Sequence, residues 1–187
     1  LSLLLSVIAD GQMPGTLDTS FNANVNGNVY GLAVQPDGKI LLGGTFNSVG
    51  GQPRNLCARV NQDGTLDTSF ADPGIDVGIV YTVSVQADGK ILIGGFFTSV
   101  GGQQRIALAR LNSDGSLDTS FADPNLDGFV YAIAIQPDGK IVIGGQFTSI
   151  RGVPHNRLAR FNVDGSLDSG FHPDVGSSSV FACAVQT

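Results

Sequence analysis

Bulky and small residues alternate along residues 29–35 (VYGLAVQ), and the alternation returns as VYTVSVQ, VYAIAIQ and VFACAVQ. Strict alternation predicts a β-strand with two unlike faces. One face carries Tyr30, Leu32 and Val34. The other carries Gly31 and Ala33, matched by Thr82 and Ser84 and then by Ala132 and Ala134. A bulky face opposite a thin one suits sheets stacked face to face, each bulky side filling against its neighbour's thin side. The next run is apolar at consecutive positions: ILLGG, ILIGG and IVIGG. A strand apolar on both sides predicts burial on both sides. Each run ends in a glycine pair: Gly43 and Gly44, Gly94 and Gly95, Gly144 and Gly145. Glycine inside a strand marks the close approach of another backbone. A phosphate-cradling loop would need a following Gly-Lys-Ser/Thr and a helix pattern, and neither is present.

Between these strands stands PDGK, or ADGK in the second copy. Proline presets φ, Asp tolerates the turn and Gly supplies positive φ, so a β-hairpin is predicted. All three lysines, Lys39, Lys90 and Lys140, lie here and read as solvated hairpin tips. The loops TFNSVGGQPRN, FFTSVGGQQRI and QFTSIRGVPHN follow, varying most between copies. They carry a basic column, Arg54, Arg105 and His155, which is the candidate binding face. A third strand (LCARVN, ALARLN, RLARFN) sets Arg59, Arg110 and Arg160 among apolar residues. Buried arginine needs a partner, and Asp67, Asp118 and Asp168 of the next segment are the partners expected, giving one structural Arg–Asp pair per repeat.

That segment reads NQDGTLDTSF, NSDGSLDTSF and NVDGSLDSGF. Asn-x-Asp-Gly is a turn signature. The oxygens of Asn61, Asp63 and Asp67, with Asp118 and Asp168 in later copies, also form the candidate cation set, with calcium as the ion. The further ligands and flanking helices of an EF-hand are absent, so a turn is the stronger reading. Phe21, Phe70, Phe121 and Phe171 close the motif and are expected to plug the core between repeats.

The anchor glutamines Gln35, Gln86, Gln136 and Gln186 are spaced by 51, 50 and 50 residues. A period of about 50 is that of propeller blades and other arrays. The expected architecture is all-β: a β-propeller-like array of about three four-stranded antiparallel blades. Repeats cover 22–70, 71–121 and 122–171. Partial units lie at 1–21, a leader or part of a blade, and at 172–187, the start of a further blade. Residues 1–9 (LSLLLSVIA) read either as a signal-peptide remnant or as a strand, since they fall far short of the ~20 residues of a membrane-spanning helix. Closed propellers use about 4–8 blades. The chain therefore reads as a fragment of a longer propeller, or as one whose ring is completed by a homo-oligomer.

Composition agrees with a β-fold: 42% hydrophobic, 26 glycines, and 16 acidic residues that are all Asp. The net charge of −6 argues against nucleic acid or an anionic membrane surface as partner. Cys57 and Cys183 replace aliphatic residues of the other copies and read as small buried hydrophobes. The two histidines, His155 and His172, fall in different parts of the repeat, and no Ser–His–Asp or Cys–His set is evident.

The string Q-P-D-G-K-I-L-x-G-G-x-F-T-S, followed by R-x-N-x-D-G-S-L-D-T-S-F with x hydrophobic after the Arg, resembles the delta-60 repeat over residues 15–186. The resemblance implies a propeller of unassigned function, exported by bacteria to the cell surface or beyond, and it brings no catalytic residues. The functional expectation is a non-enzymatic scaffold presenting loops to a protein or glycan. The alternatives are a calcium-stabilised adhesin-like array, or part of a propeller hydrolase or lyase with its site in other blades.

Overall fold

The computed structural model describes residues 17–173 and 175–186. The reading of residues 1–9 lies outside them. No helix occurs among the described residues. Among the described residues fifteen strands form three copies of one unit. In the first blade β1 (Val29–Val34), β2 (Ile40–Gly44) and β5 (Cys57–Val60) form an antiparallel sheet in the order β1-β2-β5. A small hairpin of β3 (Ser48–Val49) and β4 (Gln52–Pro53) interrupts it. The second blade repeats this with β6 (Ile79–Val85), β7 (Ile91–Phe96) and β10 (Leu108–Leu111) around the hairpin β8 (Ser99–Val100) and β9 (Gln103–Gln104). The third uses β11 (Phe129–Ile135), β12 (Ile141–Gln146) and β15 (Leu158–Phe161) around β13 (Ser149–Ile150) and β14 (Val153–Pro154). The fourth strand of each blade is reduced to one bridged pair: Val60 with Leu66, Leu111 with Leu117, Phe161 with Leu167.

The chief cores lie between blades. Leu41, Cys57 and Phe70 of the first blade meet Val80, Val83, Ile91 and Ile93 of the second in one buried cluster. Leu92, Leu108 and Phe121 of the second meet Val130, Ile133, Ile141 and Ile143 of the third in another. Alternate residues of β7 thus feed cores on both of its sides, which is why its sequence is apolar throughout.

The alternation of the first strands is broken by a bulge. Register shifts between Val80 and Thr82, leaving Tyr81 without a partner on β7, and the same shift recurs at Tyr30 and Tyr131. Val80 and Val83 consequently lie together against Gly43 of the preceding blade, and Val130 and Ile133 together against Gly94. The single large face of Tyr30, Leu32 and Val34 predicted from alternation is corrected accordingly: Val29 replaces Tyr30 as the residue equivalent to the packing valine, because the extra residue of a bulge resets the pleat. In the first blade Leu32 and Val34 are exposed, whereas Val83 and Ile133 at the position of Leu32 are buried.

Candidate functional site

Each repeat builds a three-residue clamp. Arg59 Nε donates to Asp67 Oδ2 at 2.7 Å, and Lys39 Nζ reaches the same oxygen at 2.9 Å. The second blade repeats this with Arg110, Lys90 and Asp118 at 2.8 and 2.5 Å, the third with Arg160, Lys140 and Asp168 at 2.8 and 2.9 Å. The lysines are therefore not free hairpin tips, which corrects that expectation. The hairpin loop, residues 36–38 in the first blade, folds each ammonium back onto the carboxylate that follows the bridged leucine. The clamp also crosses to the next blade. Arg59 Nη1 donates to Ser113 O at 2.7 Å, and Arg110 Nη1 donates to Val163 O. Each guanidinium lies over a closing phenylalanine: Arg59 over Phe70, Arg110 over Phe121, Arg160 over Phe171, at 4.5 to 4.8 Å.

These contacts set the carboxyl acidities. Burial pulls the Asp67 carboxyl upward, but the Ser69 hydroxyl, Lys39 and Arg59 outweigh it and hold the group well below the usual carboxylate range. Asp118 follows the same balance, with Lys90, Ser120 and Arg110 opposing burial. Asp168 is lowered to about 2, chiefly by Lys140 and the Gly170 amide.

The candidate cation set does not assemble. Asp63 Oδ1 accepts from the Thr65 amide and hydroxyl at 2.9 and 2.6 Å, closing the turn on itself. Asn61 Nδ2 donates to Thr65 Oγ1. Asp67 Oδ1 accepts from Ser69 while Oδ2 serves the clamp, and Asp118 and Asp168 are engaged in the same way. Among the described residues no group of three His, Cys, Asp or Glu side chains is placed to hold a metal. These oxygens answer protein donors, one residue group per blade, as the turn reading expects.

The residues of the basic column are all at least partly buried. Arg54 and Arg105 are half-buried, and each donates from Nη1 to the carbonyl oxygen just before it, Pro53 O and Gln104 O. His155, at the matching position of the third blade, is buried. The loop also packs against the following linker. Asn55 of this loop donates to Ile75 O and Asp76 O at 2.6 and 2.7 Å.

What the first strands do bring together is a row of aromatic rings. The Tyr30 and Tyr81 ring centres are 5.8 Å apart, Tyr81 and Tyr131 5.2 Å, Tyr131 and Phe181 5.0 Å. Phe129 joins at 6.1 Å from Tyr131 and 4.8 Å from Phe96. The first strands of successive blades lie side by side, so one aromatic per bulge makes a ladder across the array. Its polar tips are only partly engaged: Tyr131 OH donates to Gln146 Oε1 at 3.0 Å, and Tyr30 OH accepts from Asn28 Nδ2 at 3.2 Å. Burial, then the neighbouring Tyr131 and Tyr30, raise the Tyr81 hydroxyl above its ordinary value. A cavity of about 420 Å³ runs along the ladder, lined by residues of all three first strands and by Phe181, and no charged side chain faces it.

Residues 35–70, 86–121 and 136–171 match the family described as Domain of unknown function (DUF5122) beta-propeller. The chain belongs to that family. Each match begins at an anchor glutamine and ends at a closing phenylalanine, so the DUF5122 beta-propeller unit spans the hairpin, the Gly-Gly strand and the clamp. No curated protein matches the chain. Two solved structures of virginiamycin B lyase from Staphylococcus aureus are similar in fold. The catalytically inactive variant with quinupristin gives a TM-score of 0.44, and the selenomethionine-substituted protein 0.45. Each is 20% identical, with 77% of this chain covered and 41% of the other. The chain thus spans less than half the length of those proteins, and neither similarity bears on activity.

The ladder escaped the sequence reading, although its signal was present. Tyr30, Tyr81 and Tyr131 are all the tyrosines in the chain, and they recur at one position with Phe181 as the fourth. Assigning them to the packed face of the strand hid them, and only the bulge separates them from it. The fold also brings His155 of the third blade beside His172 of the segment that follows it, with ring centres 5.1 Å apart. They had been separated by their positions within the repeat.

Proposed function

We propose that this DUF5122 beta-propeller is a non-enzymatic binding module whose ligand is a neutral glycan seated along the tyrosine ladder. The observation that carries the reading is the uncharged aromatic cavity formed by Tyr30, Tyr81, Tyr131 and Phe181. Aromatic rings with hydroxyl tips offer flat apolar surface beside hydrogen-bonding groups. Sugar rings present the same pairing, C–H faces beside hydroxyls. Thr82 lies on the same wall and adds another neutral hydrogen-bonding side chain. The repeated ionic residues are engaged in clamps between strands and blades, which leaves the ladder as the repeated feature open to a ligand. The likeness to the delta-60 repeat supports an exported bacterial protein, where a glycan ligand would be met at the cell surface.

The chain has three tyrosines, all in the ladder, and no tryptophan. Its intrinsic fluorescence therefore reports from this site alone. A glycan array followed by fluorescence titration of the best neutral oligosaccharide should give saturable tyrosine quenching, lost in Tyr131→Ala. Quenching that survives Tyr131→Ala, or no glycan binding at all, would reject the reading. Capture of a protein instead, abolished by the same substitution, would reject the glycan and keep the site.

A further inference from the structure

Two residues that break the repeat meet at one point. Where the first two blades carry Arg54 and Arg105, the third carries His155, and where they carry Ala71 and Ala122, it carries His172. These are the only histidines in the chain. Their rings lie 5.1 Å apart, centre to centre, with planes inclined by 42°. Both line a cavity of about 340 Å³ with Pro154, Asn156, Leu158 and Pro173.

His155 is only 8% exposed, yet both of its ring nitrogens are buried without a hydrogen-bond partner. A buried polar atom left unpaired costs about 1–3 kcal/mol, so two on one imidazole call for an occupant of the cavity. The ring spacing indicates its nature. A zinc–imidazole nitrogen bond is about 2.1 Å, and the ring centre lies about 1.1 Å beyond, so two imidazoles at a tetrahedral angle place their centres about 5 Å apart. The observed distance is that distance.

We propose that His155 and His172 form a divalent transition-metal site of the Zn²⁺ class, with the two imidazoles as protein ligands and the remaining positions open. Imidazole suits zinc, nickel and cobalt, whereas calcium and magnesium take oxygen donors. No further His, Cys, Asp or Glu joins them into a group of three among the described residues, so the coordination is that of an open site and not a closed structural one. Open positions take water or a donor group from a bound partner. The site lies where the third blade meets the segment that follows it and is independent of the tyrosine ladder.

Calorimetric titration of the metal-free full chain with Zn²⁺ tests this directly. The expected result is a single Zn²⁺ bound per chain, with no comparable heat from Ca²⁺. Binding should be lost in His172→Ala, whose side chain is exposed and whose near-ultraviolet circular dichroism should match the unaltered protein. His155→Asn should lose it too. Cobalt substitution should give a visible spectrum without thiolate charge transfer, and Cys183→Ser should retain binding. A native protein that binds no Zn²⁺, which would leave the cavity to water, overturns the proposal. So does undiminished binding in His172→Ala, or binding that Cys183→Ser removes.

Discussion

Gly43 of the first blade lies so close to Val80 of the second that a Cβ on the glycine would stand 2.5 Å from the valine Cγ1. The same relation joins Gly94 to Val130 and Gly144 to Val180. The spacing of blades is therefore set by the absence of one side chain. Gly43→Ala should destabilise the chain by about 1–3 kcal/mol, the usual cost of an added methylene in a packed core. Gly95 faces backbone: its Cβ would stand 2.0 Å from Ile79 O, across the bulge of its own sheet. A side chain can turn aside and a carbonyl of a paired strand cannot. Gly95→Ala should thus cost more than Gly43→Ala in urea unfolding. Equal or reversed losses would show that the blades are not held at this spacing.

The clamp makes a second ordering. Arg110 and Asp118 are both about 5% exposed, and Arg110 alone ties Asp118 to the Val163 carbonyl of the next blade. Removing one partner of a buried pair strands the other, at a cost of about 3–5 kcal/mol. Lys90 keeps 30% of its side chain in solvent, and its removal leaves Asp118 paired with Arg110. Arg110→Ala should therefore lower the urea midpoint far more than Lys90→Ala. Comparable losses would place the clamp's strength in the lysine instead.

How far the chain could be read from sequence follows from the range of each signal. PDGK, Asn-x-Asp-Gly and the apolar Gly-Gly strand are local signals, and each became the hairpin, turn or central strand that local chemistry requires. The bulge at Tyr81 was not legible, since one unpaired residue leaves the alternation of its neighbours unchanged in the sequence. The lysines were misread for a related reason. A turn residue looks solvated until the fold returns Asp67 beside it, 28 positions along the chain. The meeting of His155 and His172 depends on where the linker after Phe171 passes the loop before β15, and no periodicity reports that.

Acid should unfold the protein in a defined window. The carboxyls of Asp67, Asp118, Asp127 and Asp168 are all lower in the folded chain than in the unfolded one, and Asp127 and Asp168 lie at about 2. For Asp127, burial raises the value and the Thr148 hydroxyl and the Ser149 and Thr148 amides more than offset it. A group with a depressed folded pKa contributes stability that is complete above its unfolded value, about 3.9 for Asp. That contribution is lost as pH falls through the folded value. Thermal midpoints should be level from pH 7 to about 5, then fall steeply below about 4. Asp118→Asn should flatten the acid limb while lowering the plateau. A midpoint unchanged between pH 5 and pH 2.5 would contradict the ionic role of these carboxylates.

The two thiols should separate cleanly in reactivity. Cys57 is fully buried in the core between the first two blades, and burial, then the charge of Asp72, pushes its thiol up to about 12. Only the thiolate attacks a disulfide reagent, so Cys57 is protected both by its acidity and by lack of access. Cys183 is also raised by burial, but it is half-exposed beside Gly144. Treatment of the native chain with an aromatic disulfide reagent at pH 8 should label Cys183 slowly and leave Cys57 unlabelled. Both should react once urea unfolds the blades. Peptide mass spectrometry assigns the labelled residue. Labelling of native Cys57 at the rate of Cys183 would mean that the interface under Val80 opens to solvent, and that the first two blades separate while the rest of the array stays folded.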